Sequence, residues 1–360
     1  MAITGMGVAS AYGLGPAALL SGVLSSKPSF GPVTRFDVSG RRANAAAALP
    51  GSPDLRSTLR DVIEAACAQA GLSNRSGIPL FLALHGDPEV ARSRDAQHLP
   101  GAFAASVASA CGFAPGRVYT SACVAASTAV ADAAAAISLG DVSTVVVAAG
   151  YLVEQDQFAL FDAGRALAAD GEVRPFSLGR KGIVIGDGVA AVVLSAAAAE
   201  PLAFVRGWGR SGDAYHVCQP IPDGSGMARA ISAALGRAGL VPEQLGYVNA
   251  HGSGSVLSDV AEARGLNLAL GAAAGTVPVS STKSLHGQSL EASPLVELVT
   301  TVLALREGML PVNAGFLGAD PDCDLNLIVD EPLAATPAYA LSLNSAFGGA
   351  NTALLVGTPS

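Results

Sequence analysis

A thiol, an imidazole, an ammonium group and several carboxylates stand in this chain in settings where they could act on a carbonyl carbon. Cys123 lies in Arg117-Val-Tyr-Thr-Ser-Ala-Cys123-Val-Ala-Ala-Ser-Thr-Ala-Val130, between residues that favour extended backbone and a run of small residues suited to a closely packed helix. A sulfur at the start of such a helix meets unpaired N–H groups and the positive end of the helix dipole. Both favour the thiolate, the form that attacks carbonyls. The competing reading is a buried structural cysteine, because free Cys packs as a small hydrophobe. His251 sits inside a Gly-Ser-Gly-Ser loop, where an imidazole can face a cleft and donate a hydrogen bond to a carbonyl oxygen. A solvent-facing or core-satisfied histidine is the alternative. Lys283, in a chain with only 14% charged residues, calls for a buried partner, and Glu262 and Glu297 are the candidates.

The elements that must place these groups follow from periodicity and punctuation. Strands are predicted at Ala2 to Val8, Ile78 to Leu84, Val118 to Thr120, Thr144 to Ala149 and the run ending at Leu194. Helices are predicted near Pro16 to Leu24, over Leu55 to Ala70, Leu99 to Ser109 and Val124 to Ile137, and at Phe158 to Leu167. A second series runs through strands at Leu202 to Trp208, Leu245 to Asn249, Val277 to Ser280 and Leu325 to Val329, with a closing hairpin at Tyr339 to Asn344 and Ala353 to Val356. Its helices are Gly226 to Ala238, Asp259 to Leu270 and Ala292 to Arg306. The order echoes the first series, so the chain divides into two similar units, residues 1–195 and 196–360.

Composition narrows the function classes. Half the residues are hydrophobic, aromatics make up only 5%, and there are 42 glycines, so the interior is filled by Ala, Val, Leu and Gly in a layered α/β arrangement. A formal charge of −8 argues against general affinity for nucleic acid or anionic lipid. Five widely spaced cysteines suggest neither a disulfide framework nor a metal site, and fit a reducing cytoplasm. The apolar stretch Val124 to Val153 is broken by Asp132, Gly140 and Asp141 into helix, turn and strand, which argues against a membrane span. The N-terminus lacks the basic and apolar regions of an export signal.

Four local patterns, taken together, resemble the β-ketoacyl-[acyl carrier protein] synthase family of condensing enzymes. They are Thr120-Ser-Ala-Cys123, Asn249-Ala-His-Gly-Ser-Gly-Ser-Val-Leu-Ser-Asp259-Val-Ala-Glu262, Ser281-Thr-Lys283-Ser-Leu-His-Gly287-Gln288 and Asn344-Ser-Ala-Phe347-Gly-Gly-Ala-Asn351. Supporting pieces are Ile3-Thr-Gly-Met-Gly-Val8, Thr34-Arg-Phe-Asp-Val-Ser39, Arg174-Pro-Phe176 with Gly186-Asp-Gly188, and Ser211-Gly-Asp-Ala-Tyr-His216. The resemblance implies a thiolase-like five-layer αβαβα fold from two similar halves, normally dimeric, with the site between them. It implies that Cys123 carries the acyl group, that His251 acts on the second substrate, and that Lys283, Asp259 and Glu262 organise the site. Phe347, Gly348 and Gly349 match the end of a gate loop, with the N–H groups of Cys123 and Ser345 as an oxyanion hole. On residue type alone, a Gly-rich hairpin turn is the plainer reading of that loop.

Three departures qualify the likeness, one of them a stretch between Phe36 and Cys123 that is shorter than in typical members. Elongating members carry a second histidine where this chain has Gln288, which can donate a hydrogen bond but cannot carry a proton at neutral pH. The residues that follow, among them Ser289, Glu291, Ser293 and Pro294, replace small residues common there and imply a reshaped pocket wall. The gate loop lacks its usual phenylalanine, since Ser345 and Ala346 precede Phe347. The expected activity is condensation with decarboxylation of a malonyl thioester in a type II polyketide or fatty acid pathway, with substrates on the phosphopantetheine of acyl carrier protein and with no permanently bound cofactor. The alternatives are acyl transfer or cyclisation without decarboxylation, and a chain-length-controlling subunit. The expected assembly is a homodimer or a heterodimer with a second synthase-like subunit.

Overall fold

The computed structural model describes residues 1–85 and 100–359. Ten strands make up its framework. The first five are β1 (Ala2–Ser10), β2 (Pro79–Leu84), β3 (Ala114–Tyr119), β4 (Thr144–Tyr151) and β5 (Gly188–Ser195); they lie side by side in the order β3-β2-β4-β5-β1. The second five are β6 (Ala203–Gly212), β7 (Tyr247–Asn249), β8 (Val279–Ser280), β9 (Tyr339–Ala346) and β10 (Ala350–Gly357), in the order β8-β7-β9-β10-β6. Directions repeat as well as order. In each set the first three neighbours are parallel and the last two pairings antiparallel. The two sets join where Ala2 and Ile3 of β1 pair with Phe204 and Ala203 of β6.

Eight helices complete the layers: α1 (Pro16–Leu24), α2 (Leu55–Gln69), α3 (Pro100–Ala110), α4 (Ala125–Leu139), α5 (Gln155–Ala163), α6 (Ser225–Ala238), α7 (Val256–Leu270) and α8 (Ser293–Glu307). α4 and α8 lie between the two sheets, in one core with the inner faces of both. The outer core of the first sheet is closed by α2 and α3, and that of the second by α6 and α7. This is the expected five-layer order. The inner helices are apolar around nearly their whole circumference because they face a sheet on each side. Ala122–Leu139 is long and apolar enough by composition to cross a membrane, but here it forms a turn and α4 against both sheets.

Some boundaries differ from those read in the sequence. Leu99, where the sequence places a helix start, lies outside the described residues. α5 begins earlier than Phe158 and stops at Gly164, after which Arg165 takes a positive φ of 55°. Leu325 to Val329 forms no strand: Leu327 makes a single bridge to Val279, because β8 offers only two residues at that edge.

Candidate active site

Cys123 lies not in α4 itself but in a 3-10 turn, Ala122–Val124, that links β3 to it. Ala122, immediately before it, is held at φ 49°, in the left-handed region that costs a residue with a Cβ. That kink turns Cys123 into a cavity of about 290 Å³, lined also by His251, Gln288, Ser345, Ala346 and Phe347. Residues from three of the four sequence patterns thus meet Cys123 on one surface. Leu290, on the same wall, is a second non-glycine at positive φ, 44°.

His251 is positioned through its backbone. Its N–H and that of Gly252 donate to Glu262 Oε1 and Oε2, each at 2.7 Å. Gly252 has φ 34°, and a Cβ there would stand 2.4 Å from that of Ser281, so only glycine fits. Lys283 Nζ donates to the His251 carbonyl at 2.8 Å and pairs with Glu297 Oε1 at 2.6 Å. Of the two carboxylates considered for Lys283, Glu297 is the ion-pair partner, and Glu262 serves the loop. Glu297 Oε2 in turn accepts from Asn344 Nδ2 at 2.6 Å, which ties in the fourth sequence pattern.

Asp259 is fully buried and accepts from the N–H groups of Phe176 (2.9 Å) and Gly254 (3.1 Å), with Arg180 Nε at 3.8 Å. It ties the Arg174-Pro-Phe176 segment to the histidine loop. Burial raises the Asp259 carboxyl to about 6 and that of Glu262 to about 8, in each case against the backbone N–H donors that favour the charged form. Neither lines the cavity. The supporting pieces are also structural: Arg35 forms a bidentate pair with Asp187, whose carboxylate also takes the N–H groups of Leu49 and Val153.

Electrostatically the site differs from expectation at Cys123. The reading of a helix terminus that favours thiolate is corrected: the Cys123 thiol is pushed up to about 12. Burial is the main cause, and the Glu291 carboxylate is next; Lys283 and a hydrogen bond from Gln288 act in the opposite direction but do not offset them. His251 is held well below the usual histidine range by burial and by Lys283, so its imidazole is neutral. Among the described residues its Nδ1 is buried without a partner.

Gln288 is buried and its orientation is set. Ser293 Oγ accepts from the Ser289 N–H at 2.7 Å and donates to Gln288 Oε1 at 2.8 Å, leaving the amide NH2 for the cavity side. His286 turns inward, its ring nitrogens at 2.9 Å from Gly287 O and 3.1 Å from Thr282 Oγ1, and does not line the cavity. Phe347, Gly348 and Gly349 form the turn of the β9–β10 hairpin, closed by the pair Ala346 and Ala350. The plain hairpin reading therefore holds for the backbone, while Ser345, Ala346 and the exposed Phe347 also form cavity wall. Asn351 Nδ2 donates to Asp213 Oδ1 at 2.7 Å, which fastens this hairpin to the Ser211-Gly-Asp213 segment.

Sequence reasoning missed His85, Tyr151 and the role of Ser293, and saw Glu291 only as altered pocket wall. His85 Nδ1 stands 3.2 Å from Glu291 Oε1. The available signal was a carboxylate at 291 inside a nearly uncharged run, beside the position of an unexpected glutamine.

Comparison with known proteins agrees with this architecture. The model for Beta-ketoacyl synthase, N-terminal domain, matches residues 70–199, and that for Beta-ketoacyl synthase, C-terminal domain, matches residues 202–317. A 3-oxoacyl-[acyl-carrier-protein] synthase 2 of Staphylococcus aureus is 31% identical over 252 residues, which is 67% of this chain and 62% of the relative's length. A beta-ketoacyl synthase structure from Burkholderia phymatum superposes with a TM-score of 0.91 at 25% identity, covering 100% of this chain and 99% of that one. The ishigamide ketosynthase/chain length factor superposes with a TM-score of 0.90 at 25% identity, with the same coverage.

Proposed function

The chain belongs to the β-ketoacyl synthase family, and we propose that it is a ketosynthase-type condensing enzyme that forms an acyl-Cys123 intermediate. The observation that carries this reading is the meeting of Cys123, His251, Gln288 and Ser345 on one cavity. In the first half-reaction the Cys123 sulfur attacks the carbonyl of an acyl thioester. The new S–C bond replaces the bond to phosphopantetheine, and the thiol proton leaves with the pantetheine sulfur. In the second, the C–C bond to the carboxylate of a malonyl thioester breaks and releases CO2. The resulting enolate carbon attacks the acyl carbon, the C–S bond to Cys123 breaks, and the sulfur regains a proton.

The roles follow from chemistry at each position. Neutral His251 and the Gln288 amide donate hydrogen bonds to the enolate oxygen, and the N–H groups of Cys123 and Ser345 hold the oxyanion of the acyl transfer step. Lys283, Glu262 and Asp259 keep the histidine loop in place. The partner is acyl carrier protein, whose phosphopantetheine brings both substrates, so no cofactor resides in the enzyme. We assign residues 1–195 and 196–360 as its two units, and place it in the cytoplasm as a homodimer or paired with a second synthase-like subunit. Intact mass tests the reading. The wild type gains an acyl mass from acyl carrier protein, Cys123→Ala does not, and an adduct that persists in the variant overturns it.

Gln288 favours one second reading, in which the acyl group passes from Cys123 to another acceptor without decarboxylation. CO2 released from malonyl carrier protein by the wild type, and abolished in His251→Ala, eliminates it.

A further inference from the structure

Behind Cys123, outside the lining of the open cavity, three polar atoms are buried without partners among the described residues: Tyr151 Oη, Ser289 Oγ and Glu291 Oε2. Their residues are 3%, 0% and 3% exposed. An unpaired buried polar group costs about 1–3 kcal/mol, and native interiors hold few of them. Three in one patch point to polar groups that arrive with a ligand.

Register places them together. Tyr151, the last residue of β4, pairs with Gly188 at the start of β5, and a Cβ on Gly188 would fall 2.4 Å from Ser289 Oγ. Leu84 of β2 pairs with Gly150, so His85 emerges beside Tyr151 and there meets the other oxygen of Glu291. The turn Leu290–Ala292 packs on the Cys123 turn, on β4 and on β2. The Glu291 carboxylate is near enough to both the Cys123 thiol and the Tyr151 hydroxyl to disfavour their ionisation. The patch thus lies at the carboxyl ends of the parallel strands β2 and β4, where open α/β sheets take their ligands.

Its chemistry specifies a donor. A carboxylate oxygen can only accept, and the two hydroxyls can each accept or donate. An alkyl chain would leave all three unpaired, whereas a hydroxyl close to the thioester carbonyl would donate to Glu291 and accept from Tyr151 or Ser289. Resting on the acyl-enzyme reading above, we propose that Tyr151, Ser289 and Glu291 form a polar subsite that selects short acyl groups bearing a hydroxyl on the carbon β to the thioester carbonyl.

The test is competition for the full-length protein between butanoyl-pantetheine and 3-hydroxybutanoyl-pantetheine, with the ratio of the two Cys123 adducts read by intact mass. The wild type is expected to favour the hydroxylated group about tenfold, the size of one net hydrogen bond in a buried site. Tyr151→Phe and Glu291→Gln should each bring the ratio toward parity, and either variant suffices should the other fail to fold. Parity in the wild type, with the polar atoms then served by water, overturns the proposal, as does an unchanged ratio in a folded variant. The acyl-enzyme reading survives both of those results, and falls only if neither thioester leaves an adduct on Cys123.

Discussion

Lys283 Nζ lies 2.6 Å from Glu297 Oε1 and 2.8 Å from the carbonyl oxygen of His251, so one buried ammonium group ties the inner helix α8 to the histidine loop. Both side chains are essentially inaccessible to water. Removing one member of such a pair strands a charge in the interior, which costs about 3–5 kcal/mol, whereas replacing both with apolar groups can be neutral. Lys283→Met should therefore lower the free energy of urea unfolding by about that amount, and Lys283→Met with Glu297→Leu should recover most of it. A loss in the double variant equal to the sum of the Lys283→Met and Glu297→Leu losses would show that the pair is not coupled.

The raised Cys123 thiol has a kinetic consequence. With a value of about 12, the thiolate fraction rises tenfold per pH unit throughout the accessible range. In a Cys218→Ser background, which removes the exposed cysteine, the alkylation rate of Cys123 by iodoacetamide should climb log-linearly from pH 6 to 10 without a plateau. Glu291→Gln removes the main opposing charge, lowers the thiol value and should raise the rate at every pH in that range. A plateau near neutrality would mean that the helix terminus governs the sulfur after all.

These two cases mark what the sequence disclosed and what it withheld. Local order placed Cys123 at a strand-to-helix junction, and local charge scarcity narrowed the partner of Lys283 to two carboxylates. The electrostatics of Cys123 depended on Glu291, 168 residues away in sequence and brought close by the turn before α8. Periodicity recovered strands such as β2, β4 and β5 because each is a nearly continuous apolar run, and it reached only the end of β3, where Pro115, Gly116 and Arg117 break the apolar pattern. It failed at Leu325 to Val329, where the residues are strand-like but the neighbouring edge is too short to pair with. His85 and Tyr151 carry no local pattern at all; their meaning comes from the register of β2 and β4.

Histidine burial sets an acid limit on stability. His286 is lowered to about 3 by burial, with Lys283 adding to the effect, whereas the unfolded chain protonates near 6.5. Below that value the unfolded state binds the extra proton, so this residue subtracts stability progressively as the pH falls from 6.5 toward 3. Glu262 and Asp259, raised to about 8 and 6, act in the opposite sense and favour the folded state on acidification over their own windows. The contribution of His286 is isolated by comparison with His286→Gln. The urea midpoint advantage of the wild type over this variant should shrink between pH 6.5 and 4, and a constant difference would refute the assignment.

Ser293 decides what Gln288 can do. An amide can present either its oxygen or its NH2 group to the cavity, and only the NH2 can stabilise a developing enolate oxygen. Ser293 Oγ donates to Gln288 Oε1 and itself receives the Ser289 N–H, so its proton direction is set and the amide cannot reverse without losing that bond. In Ser293→Ala both amide orientations become accessible at similar energy. The NH2 then faces the cavity in about half of the molecules, so CO2 release from malonyl carrier protein should drop about twofold. Gln288→Glu, which replaces the donor with an acceptor, should lower it much further and slow Cys123 alkylation by adding a negative charge beside the sulfur. If Ser293→Ala and Gln288→Glu release CO2 as fast as the wild type, the amide has no part in the step and His251 carries it alone.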